Sequence, residues 1–137
     1  MPKKILIVAA DYYEEITNNL VKSAEFILNQ AEYEFDLKKI NGAFEIPFVI
    51  NRFLKEYDGF VALGCIIRGE TYHFEMIANE ISRKIMDLSI QSNKPIGFGV
   101  LACENIKQAK FRSDISILNE WKENKIFFGS KKDLKLP

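Results

Sequence analysis

The first apolar stretch, Ile5-Leu6-Ile7-Val8-Ala9-Ala10, runs without a polar break, the pattern of a strand buried on both faces. Ile16, Leu20, Val21, Ala24, Ile27 and Leu28 then recur at helical spacing. Phe35 and Leu37 mark a second, more alternating strand. Pro47 suits the first turn of a helix, and Val49, Ile50, Phe53 and Leu54 give that helix one apolar face. Phe60-Val61-Ala62-Leu63, between Gly59 and Gly64, reads as a third strand, and Ile77, Ile81, Ile85 and Leu88 as the stripe of a third helix. Pro95 introduces a fourth strand, Ile96 to Leu101, followed by helical stretches near Asn105–Arg112 and Ile115–Ile126. Strands alternating with helices imply right-handed crossovers and a parallel sheet covered on both faces. The expected fold class is therefore α/β: a three-layer sandwich with a four-stranded parallel sheet of flavodoxin-like type, residues 1–137 forming one domain.

Composition narrows the functional classes. The formal net charge is zero, which argues against a basic nucleic-acid surface or a polybasic membrane patch. No apolar run approaches the ~18–20 residues that cross a bilayer. Asp11, Glu14 and Glu15 cut short the apolar stretch behind the basic start, so no signal peptide is expected. Cys65 and Cys103 form no Cys-x-x-Cys pair and are expected as reduced, packed thiols in a cytoplasmic protein.

Ligands of such sheets bind beyond the carboxyl ends of the strands. The residues with useful chemistry fall there: Asp11–Tyr13, Asn41–Glu45, Gly64–His73 and Cys103. His73 is the only histidine and the first candidate for proton transfer near neutral pH. Gly64 to Thr71 reads G-x-x-x-x-G-E-T, a phosphate loop with Glu70 where the lysine belongs. That charge opposes a nucleoside triphosphate, whereas backbone N–H groups near Gly69–Thr71 suit a single phosphate at a helix N-terminus. Thr71 can cap the same helix. Arg68 and Arg112 are further anion candidates, since arginine offers a fixed fork to phosphate. Asn41-Gly42 leads through a loop into the Pro47 helix, which places the Glu45 carboxylate in an apolar segment, where ligand hydroxyls are natural donors. Tyr12, Tyr13, Phe44 and Phe98 could wall a flat heterocycle or simply pack in the core. One histidine with scattered carboxylates lacks the ligand set of a catalytic zinc.

From about Ile5 to Asn119 the chain resembles the lumazine synthases. The resemblance rests on Gly42-Ala43-Phe44-Glu45-Ile46-Pro47, on Ala62 to Phe74 with its Ile67-Arg68-Gly69-Glu70-Thr71-Tyr72-His73, on Phe98-Gly99-Val100-Leu101, and on Glu104 to Ala109 with Arg112. It implies condensation of 5-amino-6-(D-ribitylamino)uracil with 3,4-dihydroxy-2-butanone 4-phosphate, without metal or redox cofactor. It also implies roles. Tyr12 stacks on the pyrimidine. Ala43, Phe44 and Glu45 hold the ribityl amine, and Cys65, Ile66 and Ile67 line the pyrimidine through their backbone. Glu70, Thr71 and Arg112 hold the phosphate, His73 moves protons, and Phe98 comes from a neighbouring subunit. The family forms pentamers. Ser113-Asp114-Ile115-Ser116 lacks the glycine-rich turn of shell-forming members, so a pentamer that assembles no further is expected. The first strand begins by Ile5, so the leading strand that family subunits exchange is expected to be missing.

The chain departs from the family at two places: Asp11-Tyr12-Tyr13 stands where Arg-Phe-Asn is usual, and Glu120-Trp121 follows Asn119 where Lys-Gly is usual. These departures motivate an alternative, a non-catalytic lumazine- or flavin-binding paralogue. The near phosphate loop motivates another, a flavodoxin-like mononucleotide binder.

Overall fold

The computed structural model describes residues 3–116. Its elements are β1 (Lys4–Ala10), α1 (Glu14–Gln30), β2 (Glu34–Ile40), a 3-10 turn (Ala43–Glu45) leading directly into α2 (Ile46–Arg52), β3 (Gly59–Ile67), α3 (His73–Ser92), β4 (Ile96–Cys103) and α4 (Ile106–Arg112). The helix read near Ile115–Ile126 lies largely outside the described residues. The four strands form one parallel sheet in the order β2-β1-β3-β4. The expected α/β layered fold is therefore present.

The layers follow from alternation along the strands. Leu6, Val8 and Ala10 of β1, with Phe60 and Ala62 of β3, face Ile46 and Ile50 of α2 and Ile81, Ile85 and Leu88 of α3. Ile5, Ile7 and Ala9 face the opposite way, onto Val21 and Leu28 of α1. Cys65 and Cys103 continue that second face against Ile16 of α1 and Ala109 of α4. Chain direction explains which helix goes where. The β1-to-β2 crossover moves one way along the sheet and the next two crossovers move the other way. Right-handed connections then place α1 on one face and α2 with α3 on the other. Ile7, Val8 and Ala9 are fully buried because β1 is central and covered on both sides.

The strand ends differ from the sequence reading. β3 continues past Gly64 through Cys65, Ile66 and Ile67, and β4 continues to Cys103. The two extensions pair with each other, Gly64 with Val100 through Ile67 with Cys103, beyond the last partner on β1. A glycine read as punctuation is thus a strand residue. A Cβ on Gly64 would lie 3.3 Å from the Ala10 Cβ and 3.8 Å from the Ala43 Cβ, so its bareness lets the turn after β2 settle against the sheet.

Three hydrogen bonds pin the strand ends from which the site is built. The Thr17 hydroxyl, fully buried, donates to the Ala10 carbonyl at 2.7 Å. The Asp11 N–H donates to the Ile40 carbonyl at 2.9 Å, and the Arg68 N–H to the Cys103 carbonyl at 2.9 Å.

Candidate functional site

At the carboxyl ends of β1, β2 and β3 lies a groove of about 710 Å³. Its position is the switch point of the sheet, between β1 and β3, where the crossover to β2 runs one way and the crossover from β2 to β3 the other, so that the loops splay apart. Tyr12 and Tyr13 enter from the β1–α1 turn, Gly42 to Glu45 from the turn after β2, and Cys65 to Ile67 from the end of β3. His73, Met76, Ile77 and Glu80 enter from one face of α3. The fold thus gathers Tyr12, Ala43, Phe44, Glu45, Cys65, Ile66, Ile67 and His73 from the sequence-based set.

His73 is the first residue of α3, and its N–H donates to the Thr71 hydroxyl at 3.3 Å. Thr71 therefore braces the helix start from one residue before the cap position, which Tyr72 occupies. The imidazole has no hydrogen-bond partner among the described residues, and His73 lines the groove. Glu45 stands at the cap position of α2. It is exposed rather than buried as the apolar segment suggested, because the 3-10 turn lifts it to the groove rim. Gly42 makes room for it: a Cβ there would lie 2.7 Å from Glu45 Oε2.

Tyr12 and Phe44 are 71% and 60% exposed although both are aromatic, and both border the groove. The Tyr12 and Tyr13 rings meet edge to face with centroids 4.9 Å apart. Burial raises the Tyr13 phenol above its ordinary value, with Tyr12 and the Cys65 thiol adding to the effect. Cys65 itself is pushed up to about 12 by burial, with the Cys103 thiol beside it adding to the rise. It stays a neutral thiol at physiological pH, a packing group and not a nucleophile.

Four residues of the sequence-based set do not line this groove: Glu70, Thr71, Phe98 and Arg112. Glu70 and Thr71 sit in the exposed loop before α3. Arg112 is exposed at the C-terminal end of α4, on the other face of the sheet. Phe98 lies on the edge strand β4, 49% exposed. Arg68, read as an anion candidate, is engaged within the chain. Its guanidinium pairs with Glu75 and, at 2.7 Å, with Glu104, and lies 4.5 Å from the Phe74 ring centroid. Paired with both carboxylates, it ties the loop before α3 to the loop before α4.

Met76 and Glu80 belong to no motif in the sequence, and Ile77 reads there as part of the apolar stripe of α3. Their spacing from His73 at three, four and seven residues is the signal that places them on its helical face. Among the described residues no group of three or more His, Cys, Asp and Glu is arranged to hold a metal ion, and no helix is long and apolar enough to cross a membrane.

The family model for 6,7-dimethyl-8-ribityllumazine synthase matches residues 2–125. The chain belongs to the 6,7-dimethyl-8-ribityllumazine synthase family. It is 46% identical over 112 residues to the 6,7-dimethyl-8-ribityllumazine synthase of Agrobacterium fabrum, covering 77% of this chain and 76% of that one. The Bartonella tribocorum synthase is 48% identical over 109 residues, covering 77% and 72%. The Limosilactobacillus reuteri synthase is 42% identical over 120 residues, covering 85% and 79%.

Proposed function

We propose that this chain acts in riboflavin biosynthesis, condensing 5-amino-6-(D-ribitylamino)uracil with 3,4-dihydroxy-2-butanone 4-phosphate to 6,7-dimethyl-8-ribityllumazine, with release of phosphate and water. The observation that carries this reading is the convergence of Tyr12, Glu45, the end of β3 and the unpartnered imidazole of His73 on one groove. Tyr12 stacks on the pyrimidine, whose edge meets backbone groups of Cys65, Ile66 and Ile67. Glu45 accepts from ribityl hydroxyls beside Ala43 and Phe44. His73 takes and returns protons during imine formation and phosphate loss, a step worth typically 10²- to 10⁴-fold. Holding two reactants that combine through their own carbonyl and amine supplies the rest.

The phosphate end of the site is shared between subunits in this reading. Phe98 and Arg112 are exposed and lie away from their own groove. A homo-oligomer of this chain, a pentamer, brings them to a neighbour's groove, where Arg112 joins Glu70 and Thr71 around the phosphate. A cytoplasmic location suits the two buried, free cysteines.

The test follows lumazine absorbance and phosphate release together, with the uncatalysed condensation subtracted. Wild type is expected to turn over and His73→Ala to lose about 10²-fold or more in kcat. Wild type that binds lumazine but turns over neither substrate would replace this reading with that of a binding paralogue.

A further inference from the structure

Tyr12 is held by very little. The chain is pinned on both sides of it, by the Asp11 N–H to the Ile40 carbonyl at 2.9 Å and by the Thr17 N–H to the Tyr13 carbonyl at 3.0 Å. The side chain between these points is 71% exposed. Its one ring contact among the described residues is the edge-to-face meeting with Tyr13, centroids 4.9 Å apart and planes at 82°. Tyr13 is anchored where Tyr12 is not. It packs on the buried cluster of Ile16, Cys65, Cys103 and Ala109. It also stands at the cap position of α1 without any side-chain capping bond, so helix capping does not account for it. Tyrosine is a poor choice for a cap, where short polar side chains lead.

We infer that Tyr13 is a positioning residue for substrate: its ring, half-buried and packed against the core, holds Tyr12 at the angle at which that ring stacks on the pyrimidine. The inference rests on the reading of Tyr12 as the stacking surface. Ordering an exposed aromatic before binding removes part of the entropy that binding would otherwise cost. An edge-to-face pair contributes enough to change affinity between about twofold and tenfold. The pair would act on pyrimidine binding alone, because the butanone phosphate makes no contact with Tyr12 in this reading.

The test is a double-mutant cycle on binding of 6,7-dimethyl-8-ribityllumazine, followed by its fluorescence, with steady-state kinetics on both substrates. The variants are Tyr12→Ala, Tyr13→Leu, Tyr13→Met, Tyr13→Phe and the double variant Tyr12→Ala/Tyr13→Leu. Leu and Met both keep apolar bulk against Ile16 and Cys65, so one can serve if the other fails to fold. Expected is a loss of about threefold to tenfold for Tyr13→Leu, with KM raised for the ribitylaminouracil and not for the phosphate substrate. The loss should vanish when Tyr12 is already alanine, and Tyr13→Phe should recover most of it. An equal loss on the Tyr12→Ala background, or no loss at all, overturns the brace and leaves the stacking reading standing. No loss for Tyr12→Ala itself overturns the stacking reading and the brace with it.

Discussion

At the scale of single residues, two contacts carry measurable consequences. Gly42 has ordinary extended backbone, φ −118° and ψ 147°, so its lack of a side chain serves space and not conformation. An added Cβ would lie 2.7 Å from Glu45 Oε2. Because that atom ends a flexible side chain, Gly42→Ala is expected to fold normally and turn the carboxylate aside. KM for the ribitylaminouracil should rise about threefold to tenfold, the scale of one weakened hydrogen bond to a charged group, with kcat little changed. Steady-state kinetics with thermal unfolding as control reads both. The second contact is the Tyr57 hydroxyl, which donates to Asp36 Oδ2 at 2.7 Å, with Lys4 Nζ 3.3 Å from the same oxygen. The bond pushes Tyr57 up to about 12 and, together with Lys4, holds Asp36 below its ordinary value. Unfolded tyrosine loses its proton near pH 10 while the folded one keeps it, so this stabilisation falls as pH rises from about 10 to about 12. The Asp36 contribution is present above the unfolded carboxylate value and is lost as pH falls through its depressed one. Urea midpoints of Tyr57→Phe should therefore lie furthest below wild type near neutral pH, and the gap should close at both extremes.

At the scale of elements, helix ends decide more than helix interiors. α1 closes with the Tyr33 N–H on the Leu28 carbonyl at 3.0 Å and the Glu32 N–H on the Asn29 carbonyl at 3.1 Å. That double closure needs a left-handed residue, and Glu32 takes it at φ 62°. α3 closes in the same way with Asn93 at φ 56°, a residue better suited to that conformation. Glu32→Gly is accordingly expected to raise stability by about 1 kcal/mol, read as a higher urea midpoint with unchanged slope. α4 opens differently: the Gln108 N–H donates to Asn105 Oδ1 at 2.9 Å, while the Gln108 side-chain oxygen accepts from the Glu104 N–H at 2.8 Å. This reciprocal pair fixes a helix of only seven residues. It also holds the loop whose Glu104 meets Arg68, so the starts of α3 and α4 are joined through one guanidinium.

At the scale of the whole molecule, what lies outside the groove bears on whether one subunit holds a complete site. Phe98 and Arg112 are displayed away from the groove that holds His73. If a neighbouring subunit completes each site, two differently inactivated subunits can restore one another. His73→Ala and Arg112→Ala proteins, each impaired alone, are expected to regain turnover when unfolded, mixed and refolded together. A mixture no more active than its parents would place both groups in one subunit's site, or remove Arg112 from catalysis.

The succession of strands and helices, the buried thiols and the blocks that converge on the groove were legible in the sequence. Burial on both faces of a parallel strand, on one face of a helix, and a recognisable local motif each leave a mark within a few residues. The tertiary structure decided what depends on neighbours distant in the chain. β3 runs on to Ile67 because β4 is there to pair with it, although Gly64 reads as a stop. Glu45 stays exposed because a 3-10 turn turns it outward. Arg68 pairs with Glu75 and Glu104 because the fold brings the starts of α3 and α4 together. Met76 and Glu80 border the groove because α3 presents the face that begins with His73. A side chain's type is local information, but its partner is set by packing.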